Sequence, residues 1–159
     1  EQLAYEEISQ ISAPVFILQA ATNIDRIVTI FKAARRSNRV LLQDLYMAEV
    51  ASAAGENIPN PVTFSGVRVF ITNGCNERYE LLDSKYKKSK IGRAGIAKQR
   101  FVMCVRPSMK VLWKSYRKKY RLMAVFCSTQ CGMDIKRRKI LQSFFSSCKT
   151  KAFVSLIYI

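Results

Sequence analysis

Short apolar runs alternate with amphipathic stretches along most of the chain. Phe16–Ala20 forms an apolar run typical of a buried strand, whereas Ile24, Ile27, Val28 and Phe31 recur at the three-and-four spacing of an amphipathic helix. The same alternation continues towards the C-terminus. It predicts an α/β fold with three layers, in which a mostly parallel sheet has helices on both faces.

The predicted strands are Val15–Gln19, Val40–Asp44, Val67–Ile71, Phe101–Val105, Leu122–Cys127 and Phe153–Ile159. The predicted helices are Gln2–Ile11, Asn23–Arg36, Leu45–Ala54, Glu77–Tyr86, Ser108–Tyr120 and Ile135–Lys149. Between them, Gly55–Gly66 is a loop that contains Pro, Asn and Gly. Ser84–Arg100 is basic, contains two glycines and is the segment that we expect to be mobile.

The join between the first strand and the helix after it lies at Thr22–Asp25. Thr22 can cap this helix, and Asp25, three residues later, can complete a variant of the capping box. The free amides at the start of the helix then point away from the carboxyl end of the strand. Such a helix end suits an anion.

Four strand-to-helix junctions should meet at one edge, because the carboxyl ends of parallel strands lie together. They are Ala20–Asp25, Gln43–Tyr46, Val105–Ser108 and Cys127–Gln130. Hydroxyls, amides and the guanidinium groups of Arg26 and Arg106 gather there, and these groups bind phosphate oxygens well but perform covalent chemistry poorly. The alternative is that the Ser, Thr and Asn residues only cap helices, as they do in many proteins.

The charge balance changes this picture. The 159 residues include 27 Lys and Arg against 11 Asp and Glu, which gives a net charge of +16. A solvated basic surface is one explanation, but so large an excess favours a polyanionic partner, with RNA or DNA ahead of an anionic membrane. A hydrophobic content of 49% argues against disorder and favours a single folded domain over residues 1–159.

Several classes of protein are disfavoured. The longest apolar runs, such as Phe153–Ile159, are far shorter than the ~20 residues of a membrane-spanning helix, and no signal peptide is visible. The five cysteines are odd in number and lack paired metal spacing, so reduced thiols and a cytoplasmic setting are expected. Cys127 and Cys131 have no second pair with which to hold zinc.

The chain contains no histidine. The usual ligand of catalytic zinc and the usual general base for Ser or Cys nucleophiles are therefore missing, and we expect no catalytic residue and no metal site in this chain. The sequence begins with Glu1 and finishes inside the apolar run "AFVSLIYI". These ends lead us to expect a piece of a longer protein.

The stretch "VFILQAATNIDRIVTIFKAARRSNRVLLQDLYMAEV" resembles the opening of the β-CASP domain in metallo-β-lactamase-fold hydrolases. These hydrolases are related to ribonuclease J and to the cleavage/polyadenylation nucleases, and the similarity is greatest to members of the "SSTNIDR…RAAKRSGR…VIDLYTA" type. "TNIDR" followed by "DLY" is the most specific part. "FVMCVRPSM", the strand ending in "FCSTQ" and the final "ILQSFFSSCKTKAFVSLIYI" follow in the order that the family shows, so the resemblance spans nearly the whole chain.

The resemblance implies a Rossmann-like cap domain over a groove that binds RNA or single-stranded DNA. It also implies that the metallo-β-lactamase domain of the parent chain supplies two metal ions, expected to be zinc, and performs the cleavage. No membrane partner is expected, and association into a homodimer stays open. The residues that would contact phosphate or nucleic acid are Thr22, Asn23, Asp25, Arg26, Asp44, Tyr46, Arg106, Ser108, Ser128 and Thr129.

Structural roles for the same residues stay open beside these. Asp25 can cap its helix, Asp44 can pair with a buried backbone group or with an arginine, and Tyr46 can belong to the core. Trp113–Arg121 interleaves aromatic residues with cations, as platforms for single strands do, although its aromatic residues also suit a helix packed on the core.

The chain departs from the family pattern at two places. Gln43 stands where an apolar residue is usual, and "STQCGMD" lacks the aromatic-rich segment expected after the fifth predicted strand. Two other classes of function remain. One is a non-enzymatic RNA- or nucleotide-binding module, and the other is a subunit-interface domain whose positive charge complements an acidic protein.

Overall fold

A computed structural model of the chain describes residues 1–71, 77–96, 98–106, 109 and 124–127. Its strands are β1 (Val15–Leu18), β2 (Val40–Asp44), β3 (Val67–Phe70), β4 (Lys90–Ile91), β5 (Phe101–Val105) and β6 (Ala124–Cys127). They form one six-stranded sheet in the order β4-β3-β2-β5-β1-β6. Every neighbouring pair in this sheet is parallel.

Helices connect these parallel strands. They are α1 (Gln2–Gln10), α2 (Ile24–Arg36), α3 (Leu45–Ala54), α4 (Glu77–Lys85) and the short α5 (Arg93–Ile96). α2, α3 and α4 link β1, β2, β3 and β4 in turn, as expected for parallel strands that need crossover connections. The predicted α/β class with a parallel sheet is confirmed.

The core lies on both faces of the sheet. Val15 and Ile17 of β1 belong to the cluster that contains the buried residues of α1 and α2. Phe16 and Leu18 alternate with them and belong to a second cluster, which includes Ile96 of α5. A strand that is buried on both faces needs apolar residues at every position, and this explains the continuous apolar runs in the sequence.

Arg39 fastens the edge of the sheet at which the strands begin. This buried residue precedes β2, and its guanidinium donates hydrogen bonds to the carbonyl oxygens of Ala13 (2.7 Å), Phe101 (3.5 Å) and Ile11. Burial lowers the pKa of Arg39, and the positive charge of Arg100 lowers it further. Arg39 thus ties the segment between α1 and β1 to the start of β5.

The loop between α3 and β3 is held by two buried amide side chains. The Asn60 side-chain oxygen accepts the N–H of Val62 at 3.0 Å, which closes a local turn. Gln43 of β2 donates its amide N–H to the carbonyl oxygen of Pro59 at 2.9 Å. The polar residue that departs from the family pattern at position 43 therefore anchors this loop.

The structure differs from the predicted elements in the basic segment Ser84–Arg100, for which the sequence predicts no element after Tyr86. There the chain forms β4, which pairs with β3, and α5. The hydrophobic pattern of β4 is too short to be recognised in the sequence, because Ile91 is the one apolar residue of this two-residue strand. The mobility of this segment stays a prediction.

The other predicted elements agree with the structure to within one or two residues at each end. Val15–Gln19 and Val67–Ile71 each end one residue earlier, and the predicted helix Glu77–Tyr86 ends at Lys85. Apart from Met109, the predicted elements Ser108–Tyr120, Ile135–Lys149 and Phe153–Ile159 lie outside the described residues.

Candidate functional site

The order of the strands creates a change of direction at the centre of the sheet. From β2 the chain proceeds towards β3, on one side of the sheet, whereas from β5 it proceeds to β6, on the opposite side. β2 and β5 are neighbours, so their carboxyl ends border a topological switch point. Ligands of open α/β sheets bind at this kind of position.

Asp44 and Arg106 meet at this switch point. Asp44 ends β2 and caps α3, because its Oδ1 accepts the N–H of Met47 at 3.2 Å. Its other carboxylate oxygen forms an ion pair with Nη2 of Arg106, which follows β5 and is 62 residues away in the sequence. The side chains are 16% and 23% exposed, so water screens this pair less than it screens a surface ion pair.

Tyr46 lies beside this pair. The Cζ atom of Arg106 is 4.6 Å from the centroid of the Tyr46 ring, a distance that gives a cation–π contact. Tyr46 is nevertheless 51% exposed, so its interpretation as a core residue is wrong. The result is an arginine placed between a carboxylate and a partly exposed aromatic ring.

The predicted cap of α2 is wrong by one residue. Asn23 is the N-cap, and its side-chain oxygen accepts the N–H of Arg26 at 3.2 Å. Thr22 lies one residue earlier, where its carbonyl oxygen accepts the N–H of Ile24 at 3.1 Å. Asp25 is exposed in the first turn and does not cap the helix. Its negative charge there interacts favourably with the helix dipole.

The turn Thr22–Arg26 shares an edge of the sheet with the Asp44–Arg106 pair. It follows β1, which pairs with β5 and lies two strand spacings from β2, or roughly 10 Å. The structure thus brings Asp44, Tyr46 and Arg106 into contact and places the turn nearby on the same edge. The remaining predicted site residues, Ser108, Ser128 and Thr129, lie outside the described residues.

Further buried polar groups lie at the same ends of the central strands. The Gln19 side chain follows β1 and is 7% exposed, and within the described part of the chain its amide has no nitrogen or oxygen as a hydrogen-bond partner and interacts with the thiol of Cys104. The amide oxygen of Gln43 and Nε of Arg106 are also buried without a partner there. The sequence analysis did not single out Gln19, and the signal that could have identified it was a polar residue at the end of an apolar run.

Cys104 of β5 is fully buried on the α1 and α2 side of the sheet. Burial raises the pKa of its thiol far above the ordinary value, and the negative charge of nearby Asp44 raises it further. The thiol therefore stays protonated at neutral pH and is a poor nucleophile.

The positive charge is distributed unevenly along the chain. Residues 1–71 contain six Lys and Arg against seven Asp and Glu, whereas residues 72–159 contain 21 against four. The whole positive excess therefore follows β3, and Arg106 belongs to that basic half.

The expected absence of a metal site stays a prediction. Over the residues that the structure describes, no group of three or more His, Cys, Asp and Glu side chains is placed to hold a metal ion. None of the described helices combines the length and apolar character needed to cross a membrane.

Comparison with known proteins gives no identification: the chain matches no protein-family model, and it matches no curated protein. The β-CASP resemblance therefore remains a hypothesis that rests on the motifs quoted above.

Proposed function

We propose that this chain is a β-CASP-like cap domain that positions RNA or single-stranded DNA by its phosphates for a metal-dependent nuclease. In this proposal the metallo-β-lactamase domain of the parent protein holds the zinc and performs the cleavage, and the setting is cytoplasmic. The observation that carries the proposal is the meeting of Asp44, Tyr46 and Arg106 at the switch point of a parallel sheet.

Arg106 has the hydrogen-bonding capacity that this role requires. A guanidinium carries five N–H donors, and in the described structure one of its nitrogens pairs with Asp44 while the buried Nε has no partner. A phosphate can engage the remaining donors through the paired geometry that arginine offers to oxyanions. Asp44 and Tyr46 hold the guanidinium in place before the ligand arrives, so less side-chain entropy is lost on binding.

Tyr46 adds a surface on which a base can stack. Aromatic rings bind bases of any sequence, since every base presents a π face. A cation beside an exposed ring therefore suits contacts to a phosphate and to a neighbouring base of a single strand, with little sequence preference.

The substitution Tyr46→Ala tests this site without removing a buried group. We expect it to weaken binding of a fluorescent 20-nucleotide oligouridylate by about 1–3 kcal/mol, the usual contribution of one stacked base. Leu81→Ala on α4 is the control, because Leu81 is also a large exposed side chain and is 69% exposed. Equal affinities for the two variants in anisotropy titrations would refute the role of Tyr46, provided that both melt like the parent chain.

The nuclease part of the proposal has a separate test. The 159-residue chain alone should retain no stoichiometric zinc after dialysis and should cleave no RNA. The coding sequence around the chain should contain the His-rich metal motif of a metallo-β-lactamase domain. One tightly held zinc per chain, or a different neighbouring domain, would overturn this part.

A second candidate is a non-enzymatic nucleotide- or RNA-binding module. It is favoured by the position of the site, because doubly wound sheets bind nucleotides at their switch points. Titration with a mononucleotide separates the two functions. Saturable binding of uridine monophosphate as tight as that of the 20-nucleotide strand would favour this module over a cap domain.

A further inference from the structure

A second set of cations lies at the opposite edge of the sheet, where the strands begin. These residues lie in segments that lead into β2, β4 or β5, and all are exposed. We refer to them as the amino-edge surface, which consists of Arg35, Lys87, Lys88, Lys98 and Arg100.

The fold fixes the backbone of this surface at two points. The carbonyl oxygen of Arg100 accepts the N–H of Val40 at 3.1 Å, which continues the pairing of β5 with β2 beyond the first residue of β5. The carbonyl oxygen of Ser89, next to Lys88, accepts the N–H of Val69 at 3.0 Å. β4 and β5 are three strand spacings apart, so Lys88 and Arg100 lie roughly 15 Å from each other.

The cations of the amino-edge surface differ from their neighbours in having no acidic partner. Lys32, Lys85 and Lys90 form ion pairs with Glu1, Glu49 and Asp83. Within the described residues, no carboxylate pairs with any member of the amino-edge surface. The loop that leads into β3 contributes one exposed carboxylate, Glu56.

Arg100 of the amino-edge surface is also close enough to the buried Arg39 to affect it. The charge of Arg100 lowers the pKa of the buried Arg39. Two arginines therefore lie near each other at this edge, and their like charges repel one another.

We propose that the amino-edge surface binds the phosphate backbone of single-stranded nucleic acid, as a second contact separate from the site around Arg106. This inference extends the proposed function, because it keeps the ligand and adds a surface on the opposite edge of the sheet. A span of roughly 15 Å covers several nucleotides at ~3.4 Å per stacked nucleotide. Exposed lysines and arginines in turns contact phosphates without reading bases, so this surface should bind without sequence preference.

The test compares two triple variants with equal loss of charge. Lys87→Gln/Lys88→Gln/Arg100→Gln removes three cations that lack acidic partners. Lys32→Gln/Lys85→Gln/Lys90→Gln removes three cations that are already paired. The 20-nucleotide oligouridylate is titrated against both and against the parent chain over a series of salt concentrations, with thermal melts to show that all three are folded.

The unpaired-cation variant should bind more weakly at low salt and depend less on salt. Each lost phosphate contact to a single strand lowers the slope of log affinity against log salt by about 0.7, so three contacts lower it by about 2. Between about 50 and 200 mM salt the parent chain should then lose roughly 20-fold more affinity than this variant. The control should keep a slope close to that of the parent.

Equal slopes and affinities for the two triple variants would overturn the amino-edge proposal. Displacement of the strand from the parent by poly-glutamate, as effectively as by unlabelled oligouridylate, would also overturn it and would favour an acidic protein as the partner. The two sites can fail independently. If the unpaired-cation variant binds like the parent while Tyr46→Ala binds weakly, the amino-edge surface alone is refuted. If the unpaired-cation variant binds weakly while Tyr46→Ala binds like the parent, the site around Arg106 alone is refuted.

Discussion

Asp44 has two partners at once, since one carboxylate oxygen caps α3 and the other pairs with Arg106. Its interpretation as a partner of a buried backbone group or of an arginine is therefore confirmed in both forms. A role in ligand binding is compatible with this geometry, because a residue that fixes Arg106 also fixes what Arg106 can contact.

The two roles of Asp44 can be separated by substitution. Asp44→Asn keeps a side-chain oxygen that can accept the Met47 N–H but loses the charge that balances Arg106, and we expect it to lower the free energy of unfolding by about 1–3 kcal/mol. Asp44→Ala also loses the cap, so it should cost about 1 kcal/mol more. Urea unfolding of both variants measures the difference. If the two were equally stable, the cap would contribute nothing.

Arg39 is a second residue whose importance the sequence does not reveal. Its three carbonyl partners belong to the segment before β1 and to the first residue of β5. Nothing in the local pattern distinguishes it from the exposed Arg35 and Arg36 that precede it in the sequence.

Replacement of Arg39 by lysine tests whether the shape of the guanidinium group, and not only its charge, stabilises the edge of the sheet at which the strands begin. Lysine cannot reach three carbonyl oxygens in one plane, so Arg39→Lys should lower the free energy of unfolding by about 1–3 kcal/mol through hydrogen bonds left unmade. Arg35→Lys is the control, since an exposed substitution typically changes stability by less than ~0.5 kcal/mol. Equal urea midpoints for the two variants would contradict this account.

At the scale of elements, α3 and the segment that follows α4 are joined by a buried tyrosine. The Tyr86 hydroxyl donates a hydrogen bond to Glu49 of α3 and lies 3.3 Å from the hydroxyl of Ser52. Lys85 forms an ion pair with the same Glu49 at 2.7 Å. These polar groups lie beside an apolar cluster that contains Ala48 and Tyr86.

This contact should make the fold sensitive to alkali. Burial raises the pKa of Tyr86 above its ordinary value of 10.0, and the hydrogen bond to Glu49 raises it further. Burial likewise raises the pKa of Cys104. Both protons are held more tightly in the folded state, so the stability that they contribute is complete below the unfolded pKa values and is lost as the pH rises through the folded values.

We therefore expect the free energy of unfolding to fall above about pH 9. There the unfolded chain begins to release these protons, while the folded chain still holds them. Tyr86→Phe should show a smaller fall between about pH 9 and 11, because it lacks the hydroxyl that ionises. Urea unfolding at a series of pH values gives both slopes. A parent chain and a Tyr86→Phe variant with identical slopes would show that Tyr86 does not contribute.

The elements themselves were largely predictable, and the arrangement that builds the site was not. β1, β2 and β5 are apolar throughout and are buried on both faces, so their sequence pattern is strong. The insertion of β5 between β2 and β1 depends on contacts between distant segments. The pairing of Asp44 with Arg106 follows from that order, and no local pattern could have predicted it.

At the scale of the whole molecule, one sheet combines two parts of the chain that differ in charge. The described helices α2 and α3 and strands β1 to β3 come from residues 1–71, in which acidic and basic residues nearly balance. β5 brings a segment of the basic half into the centre of the sheet, between two strands of the balanced half. Arg106 and Arg100 consequently lie at opposite ends of the same central strand. Arg106 belongs to the site, and Arg100 belongs to the amino-edge surface.

A polyanion that binds the folded chain should therefore stabilise it, and by less as salt is added. At a free concentration about 100 times its Kd, a ligand of the folded state adds about 2.7 kcal/mol, which raises the Tm of a chain of this size by roughly 5–10 °C. The 20-nucleotide oligouridylate should produce this shift at about 50 mM salt and lose most of it at about 500 mM, because released counterions oppose binding. Scans without ligand at each salt concentration remove the direct effect of salt on a chain of net charge +16. Uridine, which has the base without phosphate, is the control. A shift that persisted at high salt, or that uridine reproduced, would mean that the chain recognises the base and that its charge has another purpose.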